Sequence, residues 1–286
     1  MKNNYNWKRS TILFLSSQTF SLFGSMLVQY AITWYITLNT QSGIMMTLSI
    51  ICGFLPTLFI SPFAGVWADR YSRKMLIVLS DTLTALSTLA LIILFFMGYS
   101  SIWLLFGASA LRSIGAGVQT PAVGAFLPQI VPEDKLTKVN GINSSIQSLV
   151  AIVSPLLSGA LLSVTTIKAV FFVDVITAAV AVFIMLVFLH VPLHAKAREK
   201  QKLSYFNDMS EGLKFIINHK FLKTLFIHCG VYFVLVSPLA FLTPLQVARS
   251  FGNDVWRLTV IEVAYSAGMT AGGIIIAAWG GFKNRL

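Results

Sequence analysis

The stretch that decides the fold reads Gly65-Val66-Trp67-Ala68-Asp69-Arg70-Tyr71-Ser72-Arg73-Lys74. It is a short charged segment between two apolar stretches, at about residues 44–67 and 75–97. Each stretch is long enough to cross a hydrocarbon layer about 30 Å thick as a helix of ~20 residues. A small residue such as Gly65 permits a tight reversal near a helix end. The segment is therefore predicted to be a basic connection between two membrane spans.

The composition of the whole chain is also strongly apolar. Its 286 residues are 56% hydrophobic and 11% charged, whereas ordinary soluble domains carry roughly 25% charged residues. Two cysteines in a chain of this size exclude a secreted disulfide scaffold. Long apolar runs and 13% aromatic residues exclude a disordered chain. The class that remains is a polytopic membrane protein.

Eight apolar stretches are predicted to be membrane-spanning helices, because free backbone N–H and C=O groups find no partner in hydrocarbon. They lie at about residues 11–38, 44–67, 75–97, 102–126, 141–163, 169–190, 221–247 and 257–279. These runs are too long for the ~10-residue alternating strands of a membrane barrel. The predicted fold class is an all-α helical bundle.

The basic residues predict the orientation of the bundle. With the N-terminus in the cytoplasm, 17 of the 21 Lys and Arg residues fall on the cytoplasmic side. Lys168, Arg249 and Arg257 fall outside, and Arg112 lies within a helix. Such an excess is typical of cytoplasmic loops. It also accounts for the net charge of +11 without a nucleic-acid partner.

The spacing of the spans predicts three parts. Residues 1–190 hold six helices, residues 191–220 form a basic linker, and residues 221–286 hold two more helices. The sequence of the linker is compatible with two structures, a short amphipathic helix on anionic lipids or a solvated connection, and it favours neither. A weak echo of residues 65–74 follows the eighth span at residues 277–286, which favours a second half that begins at the linker.

Residues 65–74 resemble the loop signature between the second and third helices of the major facilitator superfamily, with Trp67 in place of leucine and Ser72 in place of glycine. Further segments resemble the macrolide-efflux branch of its drug–proton antiporters. They are Leu111–Gly115, Thr120–Ala122, Leu127-Pro128, Val131–Lys138, Gln147-Ser148, Ser154-Pro155, Ile261-Glu262 and Gly272-Gly273. The resemblance covers essentially the whole chain.

The resemblance implies twelve helices around a central cavity, alternating access, and export of amphipathic drugs in exchange for protons. It implies a C-terminally incomplete chain, and a gating role for the cytoplasmic loop residues Gly65, Asp69, Arg70, Arg73 and Lys74. In the family, the aspartate at Asp69 faces the start of an eleventh helix. The alternative is a truncated, non-transporting membrane protein or scaffold of the same family.

Four ionisable residues within the spans are the predicted proton-coupling candidates: Arg112, Glu262, Asp174 and Asp81. A charge inside a membrane usually faces the bundle interior or water. The resemblance links Arg112 to proton transfer, and a structural ion pair is the alternative. Glu262 is the preferred site for a proton or a cationic substrate. We expect Asp174 to reach water at the interface and Asp81 to pair with the nearby basic loop.

Two helices carry polar or small residues along one face. Gln18, Ser21, Ser25, Gln29 and Thr33 form a narrow stripe on the first helix at about 100° per residue. The stripe is predicted to line a substrate cavity, and polar helix packing is the alternative. On the fifth helix, Ser154, Pro155, Ser158 and Gly159 resemble the antiporter motif glycine-proline-x-x-glycine-glycine, with serines for two glycines, which implies gating.

The sequence predicts no enzyme chemistry, since it lacks a phosphate-binding glycine loop ending in Lys-Ser or Lys-Thr, a His-Glu-x-x-His and a Gly-x-Ser-x-Gly. No cofactor or metal is expected. The expected partners are a small amphipathic substrate, protons and membrane lipids, and the protein is expected to be a monomer. The expected location is a bacterial plasma membrane, as a multi-pass protein with its N-terminus in the cytoplasm.

Overall fold

The computed structural model describes residues 6–189, 191, 210, 214–252 and 254–279, and these are almost wholly helical, with no strand among them. The long helices are α1 (Trp7–Thr40), α2 (Gly43–Arg70), α3 (Arg73–Phe96), α4 (Ile102–Ile130), α5 (Glu133–Val164), α6 (Ile167–Phe183, continued by a π-helical turn at Ile184–Phe188), α7 (Lys220–Phe251) and α8 (Val255–Trp279). The predicted all-α class is confirmed.

Six of these helices are long and apolar enough to cross a membrane: α1, α2, α3, α5, α6 with its π turn, and α7. The spans assigned from the sequence to α4 and α8 stay predictions. Large apolar side chains such as Leu58 and Phe59 on α2 and Leu79 and Leu86 on α3 are exposed on the surface of the bundle. An apolar outer surface is what lipid contact requires.

Short polar residues begin several helices at the points where the apolar stretches start. The side chains of Asn6, Ser42 and Ser72 accept hydrogen bonds from backbone N–H groups in the first turns of α1, α2 and α3. These caps satisfy N–H groups that have no partner within the helix. Ser72, which replaces a glycine of the family signature, therefore fixes the start of α3.

The first six helices pack as a bundle with a defined set of neighbours. α4 packs against α2 and α3, α1 packs against α5 and α6, and α3 also contacts α6. Two apolar clusters fill the interior, one around Ile32, Phe95 and Phe171 and the other around Phe14 and Phe126. α8 packs mainly on α5, and α7 contacts α1 and α2.

Glycines stand where helices approach most closely. A Cβ atom added at Gly24 of α1 would lie 3.1 Å from Asp174 Cα in α6, and one added at Gly117 of α4 would lie 3.1 Å from Thr57 Cα in α2. Small residues allow helix backbones to come this near inside a membrane. These two positions set the distances between α1 and α6 and between α4 and α2.

Parts of the predicted organisation lie outside the described residues. Most of the linker at 191–220 is among them, although residues 214–218 are helical. The side chains of the echo at 277–286 are not described either. The three-part division of the chain therefore stays a prediction.

The close approach at Gly24 gives a test of the packing. We expect Gly24→Val to push α1 away from α6 and to destabilise the bundle by ~1–3 kcal/mol, as overpacked cores generally are. The measurement is the midpoint of thermal unfolding of the detergent-purified protein. The control is Gly107→Val in α4, where an added Cβ would meet nothing within 4 Å. Equal midpoints for the two variants would contradict the proposed close packing.

Candidate functional site

A buried ion pair lies in the middle of the six-helix bundle. A guanidinium nitrogen of Arg112 (α4) bonds a carboxylate oxygen of Asp174 (α6), and the two side chains are 5% and 1% exposed. The same guanidinium nitrogen donates to the hydroxyl of Thr88 (α3), which donates to Asp174 Oδ2 at 2.6 Å. The other terminal nitrogen of Arg112 donates to the backbone oxygen of Ser25 (α1) at 3.0 Å. Four helices thus meet at one guanidinium.

The expectation that Asp174 reaches water was wrong. Its carboxylate points inward, toward the position where Gly24 has no side chain. Asp174 lies seven residues after the start of α6, about 10 Å along the helix, so it is too deep to reach an interface. Its Oδ1 atom has no hydrogen-bond partner.

A second buried carboxylate belongs to Asp81 of α3, which is 2% exposed. The Ser21 hydroxyl (α1) and the Gln119 amide (α4) both donate to Asp81 Oδ1, the latter at 2.7 Å. Asp81 Oδ2 has no partner. The expectation that Asp81 pairs with the basic loop was wrong, because it faces α1 and α4 instead.

Two cations of the loop, Arg73 and Lys74, donate hydrogen bonds to backbone carbonyl groups. Arg73 donates to the carbonyl oxygens of Ala68 at 2.8 Å and Ala125 at 2.9 Å, which links the ends of α2 and α4. Its guanidinium also lies 3.5 Å from the Asp69 carboxylate. Lys74 donates to the carbonyl oxygen of Leu189 at 2.7 Å, just after the π turn of α6. The loop thus joins the ends of three helices.

A cavity of about 400 Å³ opens between α1, α2, α7 and α8. Most of its lining is apolar or aromatic, and the polar contributors are few. The lining includes Gln29, Tyr30, Thr33, Trp34, Phe241 and Glu262. The half-buried Glu262 lies beside the Tyr30 phenol, and no Lys or Arg among the described residues lies within ion-pair distance of it.

The polar stripe of α1 divides between the two regions. Gln29 and Thr33 line the cavity, whereas Ser21 bonds Asp81 and the amide of Gln119 lies 3.5 Å from the Gln18 amide oxygen. Ser25 contributes its backbone oxygen to the ion pair. Gln18, Ser21 and Ser25 do not line this cavity, so their predicted contact with substrate has no support there.

The small residues of α5 lie between α1 and α8. Ser154, Pro155, Ser158 and Gly159 are all buried. The Ser158 hydroxyl donates to the Leu27 carbonyl oxygen of α1 at 3.2 Å, and a Cβ at Gly159 would lie 3.1 Å from Thr259 Cβ of α8. This face of α5 therefore connects the first six helices to α8.

Sequence reasoning missed Thr88, Gln119 and Tyr30. Thr88 belongs to a set of hydroxyl residues at helical spacing on α3, together with Ser80, Thr84 and Ser87, and this stripe could have been detected. Gln119 is an amide well inside an apolar helix, which is itself a signal of a buried partner. Within the described ranges, no three His, Cys, Asp or Glu side chains form a group that could hold a metal ion.

The sequence model of the Major Facilitator Superfamily matches residues 14–286. The chain belongs to this superfamily. Macrolide efflux protein A of Streptococcus pyogenes is 29% identical over 286 residues, which are all of this chain and 70% of that protein. Macrolide efflux protein A of Enterococcus faecalis is 29% identical over 245 residues, 86% of this chain and 75% of that protein.

A solved structure has the same fold. It is that of a bacterial homologue of the human lysosomal transporter Spinster, with a TM-score of 0.65 and 16% identity, and the match covers 97% of this chain and 62% of that one. The chain therefore spans less than two thirds of that structural neighbour. Together with the family assignment, this shows a multi-pass transporter-family protein rather than an enzyme.

The ion pair of this superfamily member gives a second test. We expect Asp174→Asn to leave the Arg112 charge buried without a counter-charge and to destabilise the protein by about 3–5 kcal/mol. The measurement is the thermal unfolding midpoint in detergent. The double variant Arg112→Leu/Asp174→Leu removes both charges and should regain much of that loss.

The matched control is Asp134→Asn, since the Asp134 side chain is 67% exposed and pairs only at the surface with Lys135. Exposed ion pairs contribute ~0–1 kcal/mol, so this midpoint should barely move. Similar midpoints for Asp174→Asn and Asp134→Asn would show that the buried pair is not the main interaction at this site.

Proposed function

We propose that this chain belongs to an efflux protein that exports amphipathic, macrolide-like drugs across the bacterial plasma membrane in exchange for protons. The observation that carries the proposal is the cavity of about 400 Å³ between α1, α2, α7 and α8, with Glu262 in its wall. Pockets for drug-sized ligands have volumes of about 300–1,000 Å³ and are mainly apolar with a few polar groups. The two efflux proteins named above support the substrate class.

The lining of the cavity favours an amphipathic cation. Tyr30, Trp34 and Phe241 offer aromatic faces, which attract cations as well as apolar groups. The Glu262 carboxylate provides the negative charge, and Gln29 and Thr33 provide hydrogen bonds. A drug with an apolar body and a protonated amine would satisfy all of these groups together.

Alternating access is proposed because the cavity walls come from both ends of the chain. α1 and α2 form one side, and α7 and α8 form the other. The buried face of α5 with Ser154, Pro155, Ser158 and Gly159 would guide movement between them, since it contacts both α1 and α8. A proton can drive such movement only by binding the two states with different affinity.

The cytoplasmic loop would control the inner end of the bundle. Arg73 and Lys74 hold the ends of α2, α4 and α6 through carbonyl oxygens, and Asp69 lies 3.5 Å from Arg73. Gly65 and Arg70 complete the loop. We infer that the N-terminus is cytoplasmic, because this basic loop is then on the cytoplasmic side.

The proposal is tested by drug accumulation in bacterial cells that express the complete reading frame containing this chain. We expect the protein to lower the steady-state content of a labelled macrolide, and we expect a proton uncoupler to abolish the difference from empty-vector cells. Accumulation that is the same with and without the protein would reject export and favour a non-transporting scaffold. Export that survives the uncoupler would reject proton exchange.

The role of Glu262 is tested by Glu262→Gln. We expect export of a macrolide with a basic amine to fall about tenfold, because a charge-assisted contact contributes ~1.5–3 kcal/mol. Export of the same macrolide with its amine converted to a neutral amide should change little. The measurement is the concentration dependence of export for each drug.

Asp254→Asn is the control, because Asp254 is an exposed carboxylate that pairs with Arg257 and is outside the cavity lining. Its export of both drugs should equal that of the wild type. Equal losses for the basic and the neutral drug in Glu262→Gln would contradict recognition of a cation.

A further inference from the structure

The first six helices contain two buried carboxylates in different electrostatic settings. Asp174 and Asp81 are 1% and 2% exposed. An ionised group this far from water is stable only when other charges or hydrogen bonds compensate it. A comparison of their partners therefore indicates which carboxylate can gain and lose a proton.

Asp174 has a permanent counter-charge. The Arg112 guanidinium and the Thr88 hydroxyl both contact its Oδ2 atom, and the guanidinium is held further by the Ser25 carbonyl oxygen at 3.0 Å. The charges of this pair cancel. A proton bound to Asp174 would leave the Arg112 charge buried without compensation, which is costly.

Asp81 has hydrogen bonds and no counter-charge. Ser21 and Gln119 donate to Oδ1, and Oδ2 has no partner. Among the described residues, no Lys, Arg or His comes within 4.0 Å of this carboxylate. A proton on Oδ2 would remove an uncompensated charge and would leave both existing hydrogen bonds in place.

The groups around Asp81 on α1, α4 and α6 provide no net positive charge. α1 and α4 face it with uncharged Ser21, Gln18 and Gln119. On α6 the charged group that acts on it is Asp174, whose own charge is compensated by Arg112.

The cations near Asp81 in sequence or space are occupied elsewhere. Arg112 of α4 pairs with Asp174. Lys74, on the same helix as Asp81, bonds the carbonyl oxygens of Leu186 and Leu189.

We propose that Asp81 is the residue that binds and releases the exchanged proton, and that the Arg112–Asp174 pair stays ionised throughout. The proposal rests on the proposed proton exchange. Gln18 and Gln119 are only half-buried and form the polar route to Asp81. The unpartnered Nε2 atom of Gln18 lies on this route.

α1 is the mechanical connection between Asp81 and the cavity. Ser21, which bonds Asp81, and Gln29, which lines the cavity, are eight residues apart on this helix, about 12 Å along its axis. The appearance or loss of a negative charge beside Ser21 changes the contact of α1 with α3. A shift of α1 against α3 also moves the cavity wall formed by Gln29 and Thr33.

The direct test is infrared spectroscopy of the purified protein as a function of pH. We expect a carbonyl stretch of a protonated carboxylic acid that persists above the pH at which the exposed carboxylates ionise and disappears at higher pH. This band should be missing in Asp81→Asn. Asparagine keeps the oxygen that accepts the Ser21 and Gln119 hydrogen bonds, so this variant should fold. Asp134→Asn, at an exposed position, and Glu262→Gln should retain the band.

Two infrared results would overturn the assignment. One is that this particular band persists in Asp81→Asn, or that it is lost in Glu262→Gln instead. The other is the absence of such a band in the wild type over the pH range in which it stays folded. Either result would mean that Asp81 does not bind an exchangeable proton.

Transport in reconstituted vesicles separates this proposal from the proposed function. In Asp81→Asn we expect macrolide-driven proton movement, followed with a pH-sensitive dye, to be lost. Exchange of labelled for unlabelled macrolide without a gradient should persist, because it needs no net proton transfer. Proton movement at the wild-type rate would overturn the role of Asp81.

If the wild-type protein moves no macrolide, the proposed function fails. The infrared result still decides whether Asp81 binds a proton, so the two failures are distinguishable.

Discussion

Hydrocarbon offers no hydrogen-bond partner, and this constraint governs where every polar side chain of the bundle points. Many hydroxyl groups meet it within their own helix, as Thr84 does by donating to the Ser80 carbonyl oxygen one turn earlier at 2.9 Å. Larger polar groups cannot be satisfied in this way. Arg112, Gln119 and the two aspartates take their partners from other helices, and these contacts hold α1, α3, α4 and α6 together.

The ion pair and the glycines depend on each other. Asp174 is beside α1 only because Gly24 has no Cβ atom at the crossing of α1 and α6. On α4, Gly115 brings the helix against Thr84 and Ser80 of α3, three residues after Arg112. Close backbones place Thr88, Asp174 and Ser25 within reach of one guanidinium. The small residues therefore determine the geometry of the charged ones.

Hydropathy predicted the eight long helices and their order along the chain, because each apolar run ends at a polar or turn-forming segment. The sequence also predicted that Arg112 lies within a helix. The partner of Arg112 could not be predicted, because α6 is apolar on all sides and no periodicity shows which way Asp174 points. Asp81 was assigned to the loop because it is near in sequence, but Arg73 and Lys74 bind carbonyl oxygens instead.

The polar residues along α1 contact three different parts of the site. Ser21 contacts a carboxylate without a counter-charge, Ser25 supplies an oxygen to a compensated pair, and Gln29 lines the cavity. The three lie on one face of one helix, so under the proposed proton exchange a shift at either end would be transmitted through the Ser25 contact with Arg112. In that proposal the compensated pair would be a fixed point between the two regions, because separating its charges is far less favourable than moving the uncharged contacts on either side.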